Sequence, residues 1–180
     1  ISADERVPGA QGHDALFVVV DRFSKQIHCV PTTNIATARD VAQLYFTNVF
    51  RHHGLPRSIV SDRDPRFTSR FWKVLFKYTN TKLAMSSANH PQTDGQTERA
   101  NRTLEEMLRN VIGLQPTDWD KQLPALEFAY NNSVNATTTQ TPFYTVYGYH
   151  PATATTPTDP DVPAAGEFLE RDEAVQKAVA

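Results

Sequence analysis

The order of the apolar runs constrains this chain most. Near its start, ALFVVVDRFS and, after Lys25, QIHCVP are two β-branched and aromatic stretches joined by a polar turn, the pattern of a strand hairpin. Downstream, helix-like and strand-like stretches alternate. TARDVAQLYFTNVFRHHGLP opens with a capping box, Thr37 followed three positions later by Asp40. It carries apolar Val41, Leu44, Tyr45 and Val49 and stops at Gly54, ahead of Pro56. SIVSD reads as a short buried strand. SRFWKVLFKYTN, after Thr68, reads as a helix with Phe71, Leu75 and Tyr78 at near-helical spacing, and KLAMSS as another strand. Leu104, Met107, Leu108, Val111 and Ile112 then form one apolar helical stripe. Trp119, Leu123, Leu126 and Tyr130 mark a further helix, and a short one follows Pro142. This alternation predicts an α/β domain, a mixed central sheet with helices on both faces.

The 180 residues suit one domain with a real core. No run approaches the roughly 18 apolar residues of a membrane span, and no basic-then-apolar leader opens the chain, so the expected setting is soluble and intracellular, with no membrane partner. The single cysteine, Cys29, excludes an internal disulfide and a cysteine-based zinc cluster. His52 and His53 are adjacent rather than spaced as a zinc motif, which points to a structural role at the surface. The net charge of −2 conceals an uneven distribution. Residues 51–109 hold 11 Lys/Arg and 6 Asp/Glu, a balance of +5, whereas 151–180 hold 6 acids against Arg171 and Lys177, a balance of −4. A basic centre is compatible with a phosphate-rich partner, although solvated helix faces produce the same count.

Two carboxylates stand out. Asp62, in IVSDRDPRFTS, ends a buried strand, where ligands gather in α/β sheets, though a lone aspartate there also serves as a turn residue. Glu98, in NHPQTDGQTERANR, sits where a polar glycine-containing loop becomes a helix. The helix macrodipole alone favours an acid there by about 0.3 to 1 kcal/mol. The helical period puts Glu98 off the apolar stripe, on the polar side with Asn101, Arg102 and Glu105.

VVVDRFSK, HGLPRSIVSDRDPRFTSRFW, NHPQTDGQTERANRTLEEMLR and TPFYTVYGYHP occur in an order and spacing that closely resemble the integrase catalytic core of gypsy-like LTR retrotransposons, relatives of the retroviral integrases. The resemblance covers roughly residues 12–151. It implies an RNase H-like fold and a three-carboxylate DDE site for divalent metal, with Asp62 and Glu98 as the second and third members. The first member matches Asp4 rather than Asp21, because the family's VVVDRFSK motif lies on the second strand and the first catalytic aspartate upstream of it. Ala3 stands where the family usually has methionine, and charged Glu5 and Arg6 where it has apolar strand residues.

The resemblance further implies Mg²⁺ or Mn²⁺ as cofactor, two ions in the active complex, hard cations that prefer oxygen ligands. It implies trimming of the 3′ ends of element DNA and their transfer to target DNA, with Asn89, His90, Gln92, Asn101 and Arg102 touching the nucleic acid. Asp64 is read as a turn residue, and the sequons at Asn101, Asn131 and Asn135 as incidental. A homodimer or higher multimer, acting in the nucleus after passage in cytoplasmic particles, is expected on the same ground. The expected organisation is a core over 1–150, an extended linker over 151–166 and the start of a C-terminal helix over 167–180, within a Pol polyprotein. The irregular ISADERVPG start keeps a second reading open: a catalytically decayed or repurposed core that binds DNA or dimerises. A stand-alone RNase H-like nuclease fits less well, because the later motifs resemble integrases specifically.

Overall fold

The computed structural model describes residues 12–61, 65–85, 95–112 and 119–152. The hairpin forms as expected: β1 (Ala15–Val20) pairs antiparallel with β2 (Ile27–Thr32), from Ala15 opposite Thr32 to Val20 opposite Ile27. Asp21 closes its turn, taking the Ser24 amide at 2.8 Å and the Ser24 hydroxyl at 2.6 Å on one carboxylate oxygen. The helix that follows is capped as its sequence dictates. Thr37 accepts from the Asp40 amide and Asp40 accepts from the Thr37 amide, opening α1 (Ala38–Tyr45). Its continuation differs from a plain helix. Phe46–Phe50 is a π-helical turn, where the Asn48 side chain donates to the Leu44 carbonyl at 2.9 Å, and a last turn, α2 (Arg51–His53), ends at Gly54 with φ 71°.

The second strand pair is parallel, β3 (Ser58–Ser61) against β4 (Lys82–Met85), in register from Ser58 opposite Lys82 to Ser61 opposite Met85. Between them lie a short helix, α3 (Pro65–Thr68), and α4 (Arg70–Tyr78), whose cap is Ser69. The buried stripe of α4 is not the expected one. Trp72 and Phe76 point inward and Phe71 is 41% exposed, because Trp72 and Phe76, four apart, stack against each other at 4.8 Å between ring centroids. Three more helices complete the described chain: α5 (Gly95–Ile112), α6 (Trp119–Asn132) and α7 (Pro142–Tyr147).

Two apolar cores flank the hairpin, and the period of two along β1 divides its residues between them. Leu16, Val18 and Val20 join Ile27, Cys29 and the buried faces of α5 and α6, among them Leu104, Leu123 and Leu126. Phe17 and Val19 face the opposite layer, built on Val41, Tyr45, Val49, Trp72 and Phe76. Helices therefore cover both faces of the hairpin, as the sequence predicts for an α/β domain. Each fully buried side chain of this size contributes about 1.5 to 3 kcal/mol.

The outer edge of β2 is closed by side chains rather than by another strand. Asn131 of α6, 1% exposed, accepts from the Ile27 amide at 2.9 Å and donates to the Ile27 carbonyl at 3.0 Å. One turn earlier, Glu127 accepts from the Cys29 amide at 2.7 Å. Residues four apart on a helix thus serve residues two apart on a strand. The sequon at Asn131 is structural: both amide atoms are already bonded inside the protein. Among the described residues, no helix is long and apolar enough to cross a membrane.

Candidate active site

Between the two strand pairs lies a cavity of about 890 Å³. Phe17 and Val19 of β1 line one side, Ile59 and Ser61 of β3 the other, and Leu104 and Glu105 of α5 also border it. Trp72 lines it too, 1% exposed, and its indole N–H has no hydrogen-bond acceptor among the described residues. The cavity separates strand pairs that are each internally complete, so the described residues form two two-stranded ladders rather than one continuous sheet.

The expected site residues meet this framework unevenly. Asp4, Asp62, Asn89, His90 and Gln92 lie outside the described residues, as do Asp64, the first strand with Glu5 and Arg6, the linker from 153 and the expected C-terminal helix. Position 98 is in the first turn of α5, so the loop-to-helix transition falls where the sequence puts it, while the side chains of Glu98 and Asn101 are also outside what is described. Arg102 is exposed. Ser61, the last residue of β3, borders the cavity, and Asp62 is the next residue in the chain.

The polar side of α5 is less solvated than the sequence suggests. Glu105 is half-buried and lines the cavity between Leu104 and Leu108. Seven positions on an α-helix return to within about 20° of the same direction, so position 98 lies two turns away along the stripe that Glu105 occupies. The strand leading to Asp62 and the helical stripe containing position 98 border one cavity. Glu105 escaped the sequence reading because three acids within eight positions look alike without the partner strand.

Asp21 has a different occupation. Burial pushes its carboxyl up, but the Ser24 hydroxyl and amide, with the Phe23 amide, outweigh this and hold it below the ordinary carboxylate range. That is a turn aspartate engaged in its own loop. Burial pushes the Cys29 thiol well up, with the Glu127 charge adding to the effect, so Cys29 is a core residue and a poor nucleophile.

The three carboxylates that the family resemblance names, Asp4, Asp62 and Glu98, would supply only oxygen ligands, which suits Mg²⁺ or Mn²⁺. Among the described residues, no group of three or more His, Cys, Asp or Glu is placed to hold a metal ion.

Helices on both faces of a hairpin, a parallel strand pair beside it and a long helix bordering the gap define an RNase H-like domain of the integrase core class. The integrase core domain family matches residues 5–91, and over that stretch the chain is similar to this family. Among its relatives is the transposon Tf2-3 polyprotein of Schizosaccharomyces pombe, 41% identical over 146 residues, which cover 81% of this chain and 11% of that polyprotein. The Tf2-4 polyprotein of the same yeast is similar to the same extent. The chain thus spans about a tenth of the length of the curated relatives it matches. Solved structures carry the same fold. The simian T-cell lymphotropic virus intasome in complex with PP2A regulatory subunit B56 gamma superposes with a TM-score of 0.66 at 19% identity, over 80% of this chain and 54% of that one. The HTLV-2 integrase catalytic core in complex with magnesium, trimeric form, gives 0.59 at 19% identity, over 71% and 81%. The BIV integrase catalytic core gives 0.59 at 23%, over 73% and 84%.

Proposed function

We propose that this chain is the catalytic core of a retroelement integrase, which processes the 3′ ends of element DNA and joins them to target DNA. The observation that supports the reading is the shared cavity: Ser61, at the end of β3 and one residue before Asp62 in the chain, and Glu105 of α5, the helix that includes position 98, both line it. Asp4, on the segment that precedes β1 in the chain, supplies the third carboxylate, an assignment that rests on the resemblance of the ISADERVPG start to the family's first catalytic strand.

In this mechanism Asp4, Asp62 and Glu98 hold their carboxylate oxygens around the scissile phosphate. These carboxylates would hold Mg²⁺ or Mn²⁺, expected as two ions, which would supply Lewis-acid activation of the attacking oxygen and charge neutralisation at the leaving 3′-oxygen. The attacking hydroxyl displaces the 3′-oxygen in line at phosphorus, water in the trimming step and the element's 3′-hydroxyl in the joining step. No covalent protein intermediate forms, and joining exchanges one phosphodiester for another, so no ATP is consumed. Asn89, His90, Gln92, Asn101 and Arg102 hold DNA, and the basic balance of 51–109 supplies long-range attraction to phosphate. A homodimer or higher multimer on paired DNA ends, acting in the nucleus, completes the reading. The HTLV-2 core is recorded in both dimeric and trimeric forms with magnesium, which supports self-association.

The test is metal-dependent cleavage and joining of element-end DNA. Asp62→Asn and Glu98→Gln are expected to reduce both steps by about 100-fold or more, the scale of losing one preorganised charge-stabilising group. Full activity in either variant contradicts the assignment. The repurposed-core reading is favoured instead if the unsubstituted chain binds DNA and metal but neither cleaves nor joins it.

A further inference from the structure

At the far edge of β2, a line of three titratable side chains crosses from one helical layer to the other. Glu127 of α6 places Oε1 3.1 Å from His28 Nδ1, while its Oε2 accepts the Cys29 amide. His28 Nε2 lies 2.8 Å from His53 Nε2, in the last turn before Gly54. Beside them, His52 stacks on His28 at 6.2 Å between centroids and accepts from Arg51 Nε at 2.9 Å. Asp21, from the hairpin turn, is the remaining charge acting on His53. His28 and His53 also line one end of the cavity between the strand pairs.

Hydrogen-bond inventory fixes what this line tolerates. An ionised carboxylate only accepts, so His28 donates Nδ1–H to Glu127, and its neutral ring then presents a bare Nε2. His53 must therefore donate Nε2–H. One added proton is accommodated: His28 becomes a double donor between Glu127 and His53, and His53 shifts its own hydrogen to Nδ1. A second added proton is not. Two imidazolium N–H groups would then face each other across 2.8 Å, both donors and both positive.

We propose that Glu127, His28 and His53 form a proton-counting latch that ties α2, and through Gly54 the entry to β3, to the hairpin and α6, and that opens when both imidazoles are charged. The surroundings favour the closed state near neutral pH. Burial, with the neighbouring His28 and His52, pushes the His53 pKa below its ordinary value, and Asp21 opposes this only in part. A depressed imidazole is protonated more readily in the unfolded chain. The stability of the contact is therefore complete above the ordinary histidine range and declines as pH falls from there toward the lowered folded value.

The experiment is side-chain nitrogen NMR of the 180-residue chain between about pH 8 and 5, with hydrogen exchange at the Gly54 amide, which bonds the Phe50 carbonyl at 2.8 Å. The expected result is that the second proton enters the His28–His53 pair in a separate step from the first. Gly54 protection should fall by about tenfold on the second step, after correction for intrinsic exchange. In His53→Gln, His28 should titrate in one step and the second loss of protection should vanish. Independent single-step titrations in the unsubstituted chain overturn the latch, as does Gly54 protection that ignores the second step or a two-step titration that survives His53→Gln.

Discussion

Asn131 acts as a strand neighbour made from one side chain. Its amide offers Ile27 an acceptor and a donor in the geometry a paired strand would provide, 104 positions away in sequence. Replacing it by leucine leaves the Ile27 amide and carbonyl buried and unpaired. Such groups cost about 1 to 3 kcal/mol each, so Asn131→Leu should destabilise the chain by about 2 to 6 kcal/mol in urea unfolding; a loss below the scatter of surface substitutions refutes the clamp. Asp21 makes a separate prediction. Because its carboxyl is held below the ordinary range, its contribution is present above that range and is lost as pH falls through the folded value. The stability gap between the unsubstituted chain and Asp21→Asn should therefore close as urea melts are repeated from neutral pH down to about pH 3. Catalysis should survive Asp21→Asn, because this carboxylate serves Ser24 rather than metal.

At the scale of elements, local chemistry was the legible part. The Thr37 and Asp40 box, the stop at Gly54 and the hairpin around Lys25 all follow from a few adjacent residues and appear where the sequence puts them. What failed or went unseen depends on distant partners. Phe71 and Trp72 are equally plausible inward residues from spacing alone, and only packing on Phe67 and Phe76 selects Trp72. The π turn at Phe46–Phe50 leaves no mark in the hydrophobic pattern, because Tyr45 and Val49 are buried either way. Glu127 and Asn131, polar and four apart among the apolar positions Leu123, Leu126 and Ala129 of α6, are the visible signal of the covered β2 edge. Gly54 provides a quantitative check. Its φ of 71° and ψ of −157° belong to a region open essentially to glycine, yet an added Cβ would meet nothing within 4 Å. Gly54→Ala should cost about 1 to 3 kcal/mol through backbone strain alone, read as a lowered urea midpoint with unchanged slope.

At the scale of the molecule, the hairpin with its two cores is one body of packing and the β3–β4 pair another element of the same domain, with the cavity between them. Fold class was readable from element order. The pairing of Asp62 with Glu98 rests on family resemblance, because 36 positions separate them in the chain and local chemistry gives that spacing no meaning. DNA binding should show the electrostatics of the basic centre: the logarithm of affinity falls linearly with that of salt, with a slope of about 0.9 per duplex phosphate neutralised, and Arg102→Ala should reduce the slope by about one such unit. The most direct measurement of the central claim is paramagnetic broadening by Mn²⁺ in amide NMR spectra. The account predicts selective broadening of Ser61 and its cavity neighbours in the unsubstituted chain, abolished by Asp62→Asn and strongly weakened by Glu98→Gln. Broadening centred elsewhere, or undiminished in both variants, would contradict a metal site built from these carboxylates.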